Sequence, residues 1–192
     1  MQNRDRKLQL IWNVNKFRCH TNDVEIAIAP NQFPPFPVNA IVEEQDTALI
    51  LGETNEIRNP GDKPAWYLAN TLESQPLLTP GQVIIRDTRP LRLQAIIHDL
   101  EEDPSCNELW IFQIIQQIFD IADTRAIHAI QMPLLGTRFN SNIKTGQFFN
   151  ILLEIINRQR PAPINKLWLV TDEEKCELFY NELLETIEQH NS

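Results

Sequence analysis

The chain has 192 residues, of which 42% are hydrophobic and 22% are charged, and its formal net charge is −9 at pH 7. This composition is typical of a globular protein and excludes an intrinsically disordered chain, and the length suits one domain. The excess of acidic residues disfavours a surface that binds duplex nucleic acid, because such a surface must attract phosphate.

The first half of the chain is rich in predicted strands. Apolar residues that alternate with polar ones, or that form short continuous runs, predict strands in five segments: Leu8–Val14, Val24–Ala29, Val38–Val42, Ala48–Leu51 and Val83–Arg86. Pro64 at a first helical turn favours a helix over Pro64–Leu72. A loop that contains several carboxylates, Glu43–Gly61, follows the third of these strands.

The second half alternates strands with helices. Apolar runs predict strands at Leu93–His98, Ala126–Met132 and Leu167–Val170, and three- and four-residue spacing of apolar side chains predicts helices near Cys106–Ala122, Lys144–Arg158 and Glu173–Glu188. Two capping boxes, Ser105 with Glu108 and Thr171 with Glu174, mark the starts of the first and last of these helices. Short links between alternating elements favour parallel strands. We therefore predict a mixed sheet of six or seven strands between helices.

Several classes of site are absent from the sequence. The five glycines are too widely spaced for the G-x-G-x-x-G dinucleotide motif or the P-loop motif. The three cysteines include no C-x-x-C pair and no secretory leader is visible, so we expect free thiols in a reducing, cytoplasmic compartment. No apolar run approaches the ~18 residues of a membrane span, so we expect no membrane segment. The four histidines lack metal-ligand spacing, so we expect no metal site, and we expect no cofactor.

The loop Pro133–Asn142 is the stronger candidate for a binding site. It follows a predicted strand and contains Gly136, Thr137, Arg138 and Phe139. Ligands of open α/β sheets bind beyond the carboxyl ends of strands, where free N–H groups at the next helix favour an anion and an arginine can clamp phosphate. A polar connecting loop in which Gly136 serves only as a turn residue explains the same composition.

Three further features, the acidic loop, His98 and Cys106, each have a structural and a functional interpretation. The carboxylates of Glu43–Gly61 either form a solvated charged surface or coordinate a cation or perform acid–base chemistry. His98 ends a buried strand and is either a core histidine or a catalytic base. Cys106 lies at a helix start without a plausible base nearby, and we interpret it as structural.

Three stretches of the chain resemble the macrodomain family of ADP-ribose-binding modules. VNAIV at Val38–Val42 is similar to the family's V-D-A-I-V strand, Thr79–His98 is similar to its P-T-G-E-A-V-I-T and V-I-H segment, and IHAIQMPLLGT at Ile127–Thr137 is similar to its strand and phosphate loop. The likeness extends over roughly Val24–Leu184. It implies a three-layer α/β/α sandwich with a mixed, mostly parallel sheet, in one domain over residues 1–192. The core of that domain would span about 24–184, and residues 1–22 would supply an edge strand.

The resemblance also implies a ligand site. It suggests Gln32 and Phe33 beside the nucleobase, Asp46 at the ribose, and Gly136, Thr137 and Arg138 at the phosphates, with Phe139 in the same loop and Gly52 in a glycine-rich loop. The chain departs from the family at four of these places. Asn31-Gln32-Phe33 stands where the family has G-D-I, and Gly136-Thr137-Arg138 stands where it has S-T-G or G-T-G. Glu43-Glu44-Gln45-Asp46 stands where the family has N-A-A-N, and Gly52-Glu53-Thr54-Asn55 stands where it has G-G-G-V.

Three hypotheses for function follow from the resemblance and its departures. The first is a non-catalytic domain that binds ADP-ribose, a related nucleotide or another anion. The second is a protein-interaction domain whose pocket has decayed. The third is a hydrolase of ADP-ribosyl or phosphoester bonds with Asp46 or His98 as the base.

Overall fold

The computed structural model describes residues 16–49, 78–99, 101–138, 142–159 and 163–191, which form a mixed sheet packed against helices. The sheet has seven strands in the order β1-β2-β7-β6-β3-β5-β4. The strands β2, β7, β6, β3 and β5 are parallel, and the edge strands β1 and β4 are antiparallel to their neighbours. Their bounds are β1 Arg18–Thr21, β2 Val24–Ala29, β3 Ala40–Asp46, β4 Gln82–Arg86, β5 Leu91–His98, β6 Ala129–Pro133 and β7 Lys166–Val170. The predicted α/β class and mostly parallel sheet are confirmed.

Helices α1 (Glu108–Arg125), α2 (Thr145–Arg158) and α3 (Cys176–Asn191) pack on one face of this sheet. A short 3-10 turn, Glu173–Lys175, precedes α3. Buried side chains of all three helices belong to the same apolar core as the alternate, inward-facing residues of the strands, for example Val42, Leu93, Ile130 and Leu167. None of the described helices is both long and apolar enough to cross a membrane.

The opposite face of the sheet, called the polar face below, carries polar side chains such as Glu43, Arg92 and Gln131 together with a small apolar cluster. Trp168 and Phe36 pack there with the alanines of β2 and β6, and the Trp168 indole N–H donates a 3.0 Å hydrogen bond to the carbonyl of Ala29. Arg18 and Lys166 both lie over the ring of Phe36, and Arg18 also donates to the carbonyl of Pro35. These contacts fix the segment that follows β2 against this face of the sheet.

The third strand is longer than we predicted. It continues to Asp46, so Glu43 and Glu44 lie in β3 rather than in a loop. The strand tolerates these acids because each has a partner on β5: Glu43 pairs with Arg92, and Glu44 contacts His98. The chain turns immediately after β3, at positions 47–48, so the described part of the predicted strand Ala48–Leu51 is not a strand, and its positions 50–51 lie outside the described residues.

Both predicted capping boxes are wrong. The N-cap of α1 is Asn107, whose side-chain oxygen accepts a 3.1 Å hydrogen bond from the Trp110 N–H, because Ser105 is buried and bonded to His98 instead. The cap of the 3-10 turn is Asp172, and it makes no side-chain cap bond. The predicted strand Leu8–Val14 and helix Pro64–Leu72 lie outside the described residues. Within residues 1–22, β1 forms one edge of the sheet.

Candidate functional site

A cleft of ≈ 910 Å³ lies on the polar face of the sheet, at the carboxyl ends of β2, β7 and β6. It forms because β3 and β6 pair only at Ala40 with Ile130 and Ile41 with Gln131, and β3 makes no further pair with β6 toward their carboxyl ends. Four regions of the described chain line the cleft. Two of them are residues 30–32 after β2, and residues 41–43 of β3 together with Arg92 of β5. The other two are Gln131, Pro133 and Arg138 from β6 and its loop, and residues 170–175 at the end of β7 and after it. This is the position at which open α/β sheets bind ligands, and the volume suits a nucleotide-sized molecule.

Charged side chains of both signs line the cleft. The cations are Arg92, Arg138 and Lys175, and the anions are Glu43, Asp172, Glu173 and Glu174. Arg92 forms an ion pair with Glu43, and Lys175 forms one of 2.9 Å with Asp172. Within the described ranges, Arg138 takes part in no ion pair. Its guanidinium is therefore the cationic group of the cleft most available to an anionic ligand.

The pKa of Asp172 reports the arrangement of the cations around it. The hydrogen bond from Lys175 lowers the pKa of this carboxyl below its usual value of 3.8, against a smaller opposing effect of burial. The positive charges of Lys175 and Arg138 lower it further. Arg138 and Asp172 line the same cleft, which accounts for the effect of the guanidinium charge on this carboxyl.

Carboxamides occupy the side of the cleft next to β2. Gln131 Nε2 donates a 3.1 Å hydrogen bond to Asn31 Oδ1, and the exposed side chain of Gln32 lies beside them. This bond leaves the Asn31 amide N–H groups and the Gln131 carbonyl oxygen as a donor and an acceptor toward a ligand. We did not single out Asn31 or Gln131 from the sequence. The signal available in the sequence was a single glutamine, Gln131, inside the otherwise apolar segment AIQMP that forms β6.

The polar groups of Gly136 and Thr137 point toward the protein instead of the cleft. The Gly136 N–H donates to Glu44 Oε1 at 3.3 Å. The Thr137 N–H and hydroxyl both donate to the carbonyl of Leu134, at 3.2 and 2.7 Å. Gly136 has φ +70°, and a Cβ at this position would lie 2.6 Å from Ile111 Cδ1 of α1. Glycine is thus required here for a turn that packs against a helix, which is the structural interpretation we left open.

Three of the remaining predicted residues lie away from the cleft. Asp46 is fully buried, and its Oδ1 accepts a 2.7 Å hydrogen bond from the Ala48 N–H in the turn after β3. Phe33 is half-buried, and its N–H closes a turn onto the carbonyl of Pro30. His98 is buried between Glu44 and Ser105. Neither Asp46 nor His98, the bases of the hydrolase hypothesis, lines the cleft, and Gly52 and Phe139 lie outside the described residues.

The described cysteines, Cys19, Cys106 and Cys176, are free thiols. Burial raises the pKa of the Cys19 and Cys176 thiols to about 11, which keeps both thiols protonated at neutral pH. Over the described ranges, no group of three or more His, Cys, Asp or Glu side chains is arranged to hold a metal ion.

No protein-family model and no curated protein sequence matches this chain. Solved structures do match it. The macrodomain of Oceanobacillus iheyensis with ADP is 16% identical over 90% of this chain and 96% of its own, with a TM-score of 0.65. The Trypanosoma brucei macrodomain in complex with ADP-ribose is 11% identical over 83% and 68%, with a TM-score of 0.56. The macrodomain of Thermus aquaticus DarG is 14% identical over 77% and 98%, with a TM-score of 0.54. At these identities the likeness is one of fold.

Proposed function

We propose that this chain, which has the macrodomain fold, binds ADP-ribose or a related nucleoside diphosphate in the cleft at the carboxyl ends of β2, β7 and β6. The observation that carries the proposal is the position of Arg138, a cation without an ion pair among the described residues, on the edge of a nucleotide-sized cleft. Structures of two proteins with this fold were solved with ADP and with ADP-ribose, which supports a ligand of this class.

Arg138 would hold the phosphates. A guanidinium matches the oxygens of a phosphate with two parallel hydrogen bonds, and such charge-assisted bonds are stronger than neutral ones. The backbone N–H groups of Gly136 and Thr137 already have acceptors within the protein, so they are not free to share this work. Phosphate recognition in this cleft would therefore depend on one side chain rather than on a cradle of amides.

The carboxamides next to β2 would bind the nucleobase. Asn31, Gln32 and Gln131 offer both donors and acceptors, which suits the polar edge of a purine. The carboxylate of Glu43 lies at the β3 side of the cleft and would accept hydrogen bonds from ribose hydroxyls. It would take the place that we expected for Asp46, which is buried away from the cleft.

The acidic turn after β7 would limit the affinity. Asp172, Glu173 and Glu174 repel a diphosphate, and only Asp172 is paired with a cation within the described residues. Asp46 and His98, which the hydrolase hypothesis names as bases, are not among the residues that line the cleft. We therefore propose a binding role rather than a catalytic one, with an affinity that falls as salt is added.

Titration calorimetry with ADP-ribose tests the proposal. Arg138→Ala should weaken binding by about tenfold or more, the effect of removing a hydrogen-bond partner of a charged group. Arg86→Ala is the matched control, because Arg86 is an exposed arginine on the edge strand β4 whose side chain, within the part of the chain that the structure describes, bonds to Gln94 of the neighbouring strand. An equal Kd for Arg138→Ala and the unmodified chain would overturn the role of Arg138.

One observation favours a second candidate, a protein-interaction domain without a nucleotide ligand. The loop after β6 directs its Gly136 and Thr137 donors to protein acceptors, and an acidic turn borders the cleft. If the unmodified chain gives no heat and no thermal shift with millimolar ADP-ribose, this candidate replaces the first.

A further inference from the structure

A chain of buried polar side chains lies behind the loop that carries Arg138. His98 Nδ1 lies 3.1 Å from Ser105 Oγ, and His98 Nε2 lies 2.6 Å from Glu44 Oε1. His98 and Glu44 are fully buried, and Ser105 is 4% exposed. These residues come from β5, β3 and the segment before α1, so the contacts join three parts of the fold.

The two ring nitrogens of His98 thus join Glu44 on one side to Ser105 on the other, and the tautomer of the ring sets which atom donates in each bond. Glu44 Oε1 accepts a second bond from the Gly136 N–H, at 3.3 Å. The other oxygen, Glu44 Oε2, is buried and has no hydrogen-bond partner among the described residues. Burial of a polar group is costly unless it is hydrogen-bonded, so the two bonds at Oε1 offset part of the cost of burying Glu44.

We infer that Glu44 is a positioning residue for the proposed ligand site: by holding the Gly136 N–H, it fixes the loop after β6 so that Arg138 lies at the edge of the cleft. Gly136 is at the positive-φ turn of this loop, and Arg138 follows two residues later. Leu134 and Leu135, on the other side of the turn, are buried. The inference rests on the proposed function for its effect on binding, whereas the contact with Gly136 stands independently of any ligand.

Two properties distinguish this role from a general contribution to the core. First, it acts on one backbone amide, so the exchange of that amide with solvent should respond more than the exchange of core amides. Second, it acts on binding through Arg138, so the effects of changing Glu44 and Arg138 on the Kd should not add.

The experiment combines amide hydrogen exchange by NMR with calorimetry on the full chain. Glu44→Leu fills the site with an apolar side chain of similar size and removes the acceptor. Gln45→Leu is the control, because Gln45 is a buried polar residue of the same strand whose side-chain oxygen accepts no hydrogen bond from Gly136. We expect the Gly136 amide of Glu44→Leu to exchange about tenfold faster, the loss of one hydrogen bond, and that of Gln45→Leu to exchange as before. Glu44→Gln, which keeps an acceptor at Oε1, should largely restore the protection.

The binding arm uses ADP-ribose. Glu44→Leu should weaken its binding several-fold when Arg138 is present and leave it unchanged in the Arg138→Ala background. Should Glu44→Leu fail to fold, Glu44→Asp withdraws the carboxylate by one methylene and is expected to give the same two results. Unchanged exchange at Gly136, or equal losses of affinity in both backgrounds, overturns the positioning role. Absence of binding by the unmodified chain overturns the proposed function and, with it, the effect on binding.

Discussion

The side chain of Gln131 on β6 reaches across β7 and donates a hydrogen bond of 3.1 Å to Asn31, which follows β2. β7 lies between β6 and β2 in the sheet, so this bond spans one strand on the polar face. It holds the segment that follows β2 at the edge of the cleft. The position of Gln32, next in the chain, depends on the same segment.

Replacing Gln131 by leucine should loosen this side of the cleft. We expect the Kd for ADP-ribose to rise by roughly threefold to tenfold, because one hydrogen bond and one ligand partner are removed. The free energy of unfolding should change by less than about 1 kcal/mol, since the bond is exposed. Gln116→Leu is the control: Gln116 makes a similar exposed bond, to Asp120 on α1. If both variants bind ADP-ribose equally well, the carboxamides are not part of the site.

Alanine substitutions at two glycines should have opposite consequences. Gly136→Ala would place a Cβ 2.6 Å from Ile111 Cδ1 and 3.0 Å from Cys106 Sγ, at φ +70°, and should destabilise the fold by about 1–3 kcal/mol. At Gly146, in the first turn of α2, the nearest atom is the flexible end of Glu182, and alanine should be neutral or stabilise by up to about 1 kcal/mol. Thermal unfolding measures both. Equal melting temperatures would contradict the packing of the Gly136 turn against α1.

The ion pair of Asp172 with Lys175 predicts a specific response to acid. Because the folded pKa of Asp172 is lowered, its ionised form stabilises the folded state above the usual value of 3.8, and this contribution disappears as the pH falls through the lowered pKa. Lys175→Ala should raise the pKa of Asp172 toward 3.8, and Arg138→Ala should raise it less, because the Arg138 charge has the smaller effect. A carboxyl NMR titration gives both values. A larger rise for Arg138→Ala would place the guanidinium closer to Asp172 than the structure does.

The sequence predicts the elements well where local pattern decides them. Strands and helices from Leu91 onward appear in the expected order, because alternation of short apolar runs with amphipathic segments depends on neighbouring residues alone. Even there, Leu109 and Leu178 fit the helical spacing but are exposed. Helix starts were harder to predict. Serine is a residue type that favours the N-cap position, yet the side chain of Ser105 hydrogen-bonds to His98 in the fold.

Polar residues whose partners are distant in the chain were the main source of error. Glu43 and Glu44 look like loop residues until Arg92 and His98 of β5 are brought beside them, and no local pattern announces that pairing. The same holds at the site. Gly136 and Thr137 have the composition of a phosphate loop, but the acceptors that engage them, Glu44 and Leu134, become visible only in the fold.

The most direct test of the account is an NMR titration of the chain with ADP-ribose, followed on the backbone amides. We predict shifts that concentrate at residues 30–32, 131–138 and 170–175, which line or adjoin the cleft, and that need about tenfold more ligand to saturate in Arg138→Ala. Saturating millimolar ligand with no shifts, or with shifts confined to the exposed surfaces of α1, α2 and α3, would contradict a ligand site at these strand ends.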